Sequence, residues 1–519
     1  MTSDIHGLRR FHFRETPLLL ALITFCAILF SYLSVIRHYT FNTAVYDLAM
    51  YDQAVWNTSQ GRPFAINLLE DTMPGLTNKL GDHVEPILLP LAALYLIRSN
   101  PDVLLVVQAM ALAVLIWPLY HLVRDRSKSV RLAGVAVALY LLHPGMWNAL
   151  LFDFHPVTLG AALLVFTLWM LVQRKHLAAA IFAILAMMCK EQIGLSVAML
   201  GVYAILFVKR PARRAPAAQT ERERSEAKSK DASKLVRYFQ ARNWRFGLLL
   251  IVIGMVWSAV ALGVIIPAFQ PAGTSYYLNR YGRLGSTFAE VLLSPIARPD
   301  VFWPMISGPK RVAYYGDLLL PLGLLPLVGF EMLLPALPDM ALNTLSAFAP
   351  SRTLDYHYAI IAVPFLILAT AWGIDRLARW MGRWVNQRMV LIAASVFALI
   401  AMGAYQIDRY HGFVPLSDRY AGTYTIEPRD SIGWQMAAEI PPDAIVSGQF
   451  TLLPHVSQRQ RAHIFPRLED AQYVFLDTQG AIEPFQTQAE YQAAVEAIRN
   501  DPSFEIISEQ GGFILFQRK

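Results

Sequence analysis

Thr16-Pro17-Leu18-Leu19-Leu20-Ala21-Leu22-Ile23-Thr24-Phe25-Cys26-Ala27-Ile28-Leu29-Phe30-Ser31-Tyr32-Leu33-Ser34-Val35-Ile36 is twenty-one residues without one charged side chain. A helix of ~20 apolar residues crosses a bilayer, so this stretch reads as a membrane span. It follows a basic segment (Arg9, Arg10, Arg14). It exceeds the core of a signal peptide, however, and no small-residue cleavage site follows, so it reads as a retained helix. Just past it comes Tyr46-Asp47-Leu48-Ala49-Met50-Tyr51-Asp52-Gln53-Ala54-Val55-Trp56. Two aspartates therefore fall where lipid gives way to water, on one side of the membrane.

The same pattern recurs along the chain. Of 519 residues 55% are hydrophobic and only 16% charged, and mean hydropathy is +0.38, which excludes an ordinary soluble domain. Apolar segments follow at Pro86–Ile97, Val103–Val123, Leu132–Leu150, Val157–Val172, Leu177–Met188 and Ile193–Val208. Others run Phe246–Phe269, Val312–Phe330, Met332–Phe348, Tyr358–Ile374 and Met389–Tyr405. Basic residues gather on the cytoplasmic side of bacterial membrane proteins. This places Arg124 to Arg131, Arg174/Lys175 and Arg376 to Arg388 inside, with the N-terminus. Pro86–Ile97 is too short to cross and reads as a partial or interfacial helix. About eleven crossings result.

Formal net charge is +7, and one segment supplies it. Lys209–Arg245 holds twelve Lys/Arg against four Asp/Glu, leaving thirty-three against thirty-four elsewhere. Rich also in Ala, Ser, Gln and Pro, it reads as a cytoplasmic loop that fixes orientation and touches anionic headgroups. No aromatic interleaving accompanies the charge, so nucleic acid is not the expected partner. Cys26 and Cys189 lie in apolar surroundings and imply neither a disulfide framework nor a thiolate metal site.

From Asp408 no stretch is long and apolar enough to span. Strands are expected at Ala444–Ser447, Ala462–Phe465, Tyr473–Leu476, Phe504–Ile507 and Phe513–Phe516, and helices at Ser431–Glu439 and Ala489–Arg499. The fold class is thus an all-α polytopic membrane protein with a small C-terminal α/β domain. Residues 1–407 form the membrane part, with its basic loop at 209–245. Residues 408–519 form the extracytoplasmic domain.

Polar residues collect at the outer ends of the spans. Asp47 and Asp52 stand five apart, which turns the second about 140° from the first on a helix, so at most one is expected to act as a base. The plain alternative makes Asp47 the N-cap of a helix starting at Leu48 and leaves Asp52 solvated. Asp82-His83-Val84-Glu85 reads as pocket lining, as a divalent-metal site, or as helix-start chemistry before Pro86. Asp153-Phe154-His155 is either a pair closing a tight turn or a proton donor with an anion contact. Lys190-Glu191 at membrane depth is costly unless the two pair or line water. The first use is structural, the second a contact to a lipid-linked phosphate. Arg280, in an aromatic outer loop with Tyr276 and Tyr277, suits phosphate. His357 and Arg352 are further candidates for the leaving group. No P-loop, Rossmann glycine pattern, HExxH or GxSxG elbow is present.

Several stretches together resemble the bacterial DUF2079 family of predicted membrane proteins. They are Tyr46-Asp47-Leu48 with Tyr51-Asp52-Gln53 and Trp56, Gly81-Asp82-His83, Asp153-Phe154-His155-Pro156, Lys190-Glu191, Tyr281-Gly282, His357-Tyr358 and Leu453-Pro454-His455-Val456-Ser457. The layout also resembles that of the GT-C integral membrane glycosyltransferases. That resemblance implies an acidic base in the first outer loop, a polyprenyl-phosphate-linked sugar as donor and an envelope glycan, lipid or protein as acceptor. The Asp-Glu doublet common in that loop is absent, so Asp47 and Asp52 both stand as candidates. Lys190, Arg280, His155 and His357 would face the departing phosphate. Asp82, His83, Glu85, Asp153 and Glu191 would shape the pocket. No cofactor is firmly implied beyond an optional divalent metal, and the expected place is the bacterial inner membrane. A transporter or flippase of lipid-linked saccharide, or a non-catalytic envelope assembly protein, is the alternative.

Overall fold

The computed structural model describes residues 3–70, 72–208, 243–271 and 276–519, without the side chains of residues 3–14, Tyr276, Tyr277, Phe288 and Leu292. The basic loop up to residue 242 and the side chains of Arg9, Arg10, Arg14, Tyr276 and Tyr277 lie outside the described residues. Most of the chain before residue 411 is helical. Four described helices are long and apolar enough to cross a membrane: Glu15–Tyr39, Asp102–Ser127, Trp244–Phe269 and Gln387–Tyr420. Val130–Leu142 and Pro144–Leu151 make a fifth if counted together, bent by 48°. The bend has a local cause: His143 precedes Pro144 and is held extended, at φ −71° and ψ 122°. Pro156–Val172, His176–Met187 and Ile193–Phe207 are shorter apolar helices.

Two expected spans take another form. Val312–Phe330 and Met332–Phe348 are broken into Pro309–Leu319, three 3₁₀ turns and the helix Leu337–Leu345. Pro321, Pro326 and Pro335 each remove a backbone donor. Gly323 and Leu324 turn left-handed, at φ +61° and +60°. Hydrophobic content predicts depth here but not a continuous helix.

Ile193–Phe207 packs closely on Trp244–Val260. A Cβ on Gly194 would lie 2.3 Å from the carbonyl oxygen of Gly254, and one on Gly201 2.4 Å from that of Gly247. Small residues let the two backbones meet, as in membrane helix pairs generally. This contact anchors the turn that carries Lys190 and Glu191, and Ser258 Oγ donates to the Glu191 carbonyl at 2.7 Å.

After residue 411 a five-stranded sheet forms from β1 (Val446–Gly448), β2 (Ala462–Ile464), β3 (Tyr473–Asp477), β4 (Phe504–Gln510) and β5 (Phe513–Arg518). The order is β2-β1-β3-β5-β4, with β1 parallel to both neighbours and β5 antiparallel to both of its own. Helices Pro428–Glu439 and Gln488–Arg499 accompany it, each opened by a reciprocal capping box. The sheet does not stand apart from the helical part. Phe41, Val45, Ala49 and Leu68 share one core with Val446, Leu453, Phe475 and Phe513. The segment leading into Asp47 is thereby fixed from both sides.

Candidate active site

Past the first long helix the chain makes one turn of π-helix, Val45–Ala49, before Met50–Ser59 continues as α-helix. The Ala49 N–H reaches the Ala44 carbonyl at 3.3 Å, the i to i+5 bond of that geometry. Such turns are rare and concentrate at functional sites. Asp47 lies inside it and caps nothing, since Ala44 is the N-cap residue. Its carboxylate projects into a cavity of about 410 Å³.

His155 Nε2 lies 2.8 Å from Asp47 Oδ1. The tight turn before it delivers the ring: Asp153 takes φ +52°, a left-handed conformation that aspartate tolerates. His155 Nδ1 has no hydrogen-bond partner among the described residues. Its ring stacks on that of His357 with centroids 3.5 Å apart and planes at 21°. An imidazole in this setting can orient Asp47 and share a proton with it.

Lys190 and Glu191 both line the cavity, and they do not pair with each other. Glu191 Oε1 sits 2.9 Å from His83 Nδ1, and Oε2 accepts the Val84 N–H at 3.2 Å. Lys190 is only 7% exposed. Among the described residues its ammonium has neither an ion pair nor a hydrogen bond. Glu191 and Asp339 lie near enough to attract it, and its unmade hydrogen bonds leave room for water or a ligand anion. Arg280 lines the same cavity, its guanidinium 4.5 Å above the Phe348 ring. Asp82, His83 and His357 complete the expected residues found there.

Asp52, Glu85 and Asp153 are placed elsewhere. Asp52 is fully buried rather than solvated. It accepts hydrogen bonds from Tyr95 at 2.6 Å, Ser457 at 2.6 Å and Gln458 at 3.0 Å. Its five-residue offset from Asp47 points it at the C-terminal domain instead of the cavity. Asp153 pairs with Arg37, not with His155, and accepts the Ala44 N–H at 2.7 Å. It braces the π-turn from outside the cavity. Glu85 pairs with Lys79 at 3.0 Å, and Lys79 also holds Asp82 at 2.6 Å. Burial works to lower the Lys79 ammonium, but the two carboxylates outweigh it and push the pKa up to about 12. The alternative that makes Asp82, His83 and Glu85 a metal site meets side chains already divided between Lys79 and Glu191. The single group with metal-ligand spacing among the described residues is His463, Glu469 and Asp470, in the C-terminal domain. Arg352 is committed to the backbone carbonyls of Ser346 and Phe348, at the cavity wall, and does not itself line the cavity.

A family model described as a predicted membrane protein, DUF2079, matches residues 37–515. The chain belongs to this family. The DUF2079 match begins at Arg37, the partner of Asp153, and spans every residue that lines the cavity. No curated protein matches the chain. Among solved structures it is similar to ArnT from Cupriavidus metallidurans bound to undecaprenyl phosphate, with 14% identity and a TM-score of 0.49 over 96% of this chain and 97% of that one. The same protein in the apo state gives 13% and 0.49 over the same shares. The archaeal oligosaccharyltransferase AglB from Archaeoglobus fulgidus, in complex with an inhibitory peptide and a dolichol-phosphate, gives 12% and 0.43 over 96% of this chain and 74% of that one.

Two supports in this DUF2079 site carry little sequence signal. Lys79 precedes Asp82 by three residues, an ion-pair spacing, but sits before the Gly81–Pro86 motif. Tyr51 donates to Glu85 at 3.0 Å and lies under the Lys79 ammonium, 4.7 Å from ring centroid to nitrogen. In sequence it reads as one more aromatic of an interfacial helix.

Proposed function

We propose that this membrane protein is an inverting glycosyltransferase of GT-C layout that takes its sugar from a polyprenyl-phosphate donor. One observation carries the reading: a single cavity joins the Asp47–His155 pair to the ammonium of Lys190, which makes no hydrogen bond or close ion pair among the described residues. Asp47, oriented by His155, accepts the proton of an acceptor hydroxyl as its oxygen attacks the anomeric carbon. The bond from that carbon to the phosphate oxygen breaks, and polyprenyl phosphate departs with the electron pair. Lys190 and Arg280 stabilise the charge that develops on the phosphate. The lining supports the donor class. Leu69, Leu262, Leu278 and Leu342 share the cavity with those cations. Leu262 also belongs to the long helix Trp244–Phe269, and Val264, two residues on, is 61% exposed. A lipid tail lying along that helix can bring its phosphate to Lys190.

The proposed arrangement has about eleven crossings in a bacterial inner membrane, with residues 1–407 as the membrane part. The N-terminus is cytoplasmic, and both the cavity and residues 408–519 are extracytoplasmic. The acceptor is an envelope component.

Protein in lipid nanodiscs, supplied with undecaprenyl-phosphate-linked radiolabelled sugars, tests the reading. Asp47→Asn is expected to lower transfer at least a hundredfold, in line with the ~10²–10⁴-fold worth of a general base, and to leave donor binding intact. Lys190→Ala should weaken undecaprenyl phosphate binding ten- to a hundredfold, the loss of a charge-assisted bond worth about 1.5–3 kcal/mol. Full transfer by Asp47→Asn overturns the proposal.

A further inference from the structure

A second concavity, of about 550 Å³, lies where the C-terminal domain meets the segment that leads into Asp47. Thr40, Asn42 and Ala44 contribute from that segment, and Phe450, Thr451 and Gln479 from the domain. The parts are held in place by the shared core, in which Phe41 meets Phe513 with centroids 5.3 Å apart. The Trp434 indole N–H also donates to the Tyr39 carbonyl at 3.1 Å.

The two cavities are neighbours. Tyr46 lines the first and Phe450 the second, and their rings meet edge-on with centroids 5.2 Å apart. Ala44 lines the second and precedes Asp47 by three residues. At 3.8 Å per residue their Cα atoms are separated by about 11 Å at most.

Their charge differs in degree. The first sets Lys190 and Arg280 beside Asp47, Asp82 and Glu191, two cations against three carboxylates. Among the charged side chains lining the second, Glu427, Asp430, Asp477 and Glu483 oppose Arg429 alone. Arg429 is itself held by Asp477 at 2.5 Å. A phosphate or a uronate would be repelled there. What remains suits a polyol. Threonine hydroxyls and the carboxamides of Asn42 and Gln479 both donate and accept hydrogen bonds, while the partly buried Phe450 adds an apolar face.

We infer that this groove is the acceptor subsite, and that it holds an uncharged or amino-bearing glycan with one hydroxyl presented past Tyr46 to Asp47. The inference rests on the glycosyltransferase reading and deepens it, since it divides the two substrates between two adjoining cavities, the second the more acidic.

Binding to the full-length protein in nanodiscs, followed by thermophoresis, tests it with three probes: tetramers of glucosamine, N-acetylglucosamine and galacturonic acid. The first two are expected to bind saturably and the third at least tenfold more weakly. Thr451→Trp, which fills the groove, should lower glucosamine-tetramer affinity tenfold or more while undecaprenyl phosphate affinity stays within twofold. Glu483→Lys, at an exposed position, should narrow the preference for the glucosamine tetramer over the uronate at least threefold even if the tryptophan variant folds poorly. Equal affinity for all three probes, no saturable binding by any, or a glucosamine affinity and preference unmoved by either substitution overturns the subsite. The donor cavity is read separately: undecaprenyl phosphate binding unaffected by Lys190→Ala defeats the glycosyltransferase reading whatever the groove does.

Discussion

At Asp52 a carboxyl group is enclosed by Tyr95, Ser457 and Gln458, and burial pushes its pKa up from 3.8 to about 6 against the pull of those three hydrogen bonds. The folded protein therefore holds a proton that the unfolded chain has lost, between roughly pH 4 and 6. Stability falls as pH rises through that window, by on the order of 3 kcal/mol for a shift of about two units. Asp52→Asn keeps the shape, because the Ser457 hydroxyl can accept as well as donate. Thermal unfolding at pH 4.5 and pH 7 is expected to show the loss in the native protein and a smaller one in the variant. Lys79 gives a second test. Lys79→Met leaves Asp82 and Glu85 buried without their counter-charge, a loss of about 3–5 kcal/mol. Its melting temperature should drop sharply, and adding Glu85→Gln should restore part of it. The two aspartates of the first loop also show how far residues alone could be read. Their types and their position after a span marked them both. Which one faces the cavity depended on His155, 108 residues away, and on Ser457, 405 residues away, and single-sequence patterns do not encode pairings at that range.

Among the elements, the close glycine pair Gly194/Gly254 sets the position of the Lys190–Glu191 turn. Gly254→Val would place its Cβ 2.2 Å from the Gly194 carbonyl oxygen, forcing the helices apart. A destabilisation of about 1–3 kcal/mol is expected. Unfolding in detergent measures that loss, and weakened undecaprenyl phosphate binding reports the displaced lysine. Elements were legible where periodicity and punctuation agreed. All five strands and both helices of the C-terminal domain fall within a few residues of their expected places, each bounded by turn residues. Between Leu320 and Leu345 the apolar content is as high, but Pro321, Pro326, Pro335 and Pro338, three to nine residues apart, leave no room for a long helix. The π-turn at Asp47 has no sequence mark, because it comes from the bracing of Ala44 by Asp153 and from the core around Val45.

For the whole molecule, the distribution of basic residues predicts a sidedness that can be measured. Asn500→Cys, in the C-terminal domain, is expected to react with an impermeant maleimide on spheroplasts. Ser225→Cys, in the basic loop, should react only after permeabilisation. Reversal of the two results would put the cavity on the cytosolic side. The architecture also governs when the site comes into being. Gln458 and Asp52 are joined across 406 residues of chain, so the carboxyl waits for its partners during synthesis. At ~5–20 residues per second that interval is about 20–80 s. A nascent chain that has not reached Ser457 and Gln458 holds its first loop unfastened, so the loop is the first piece made and among the last secured.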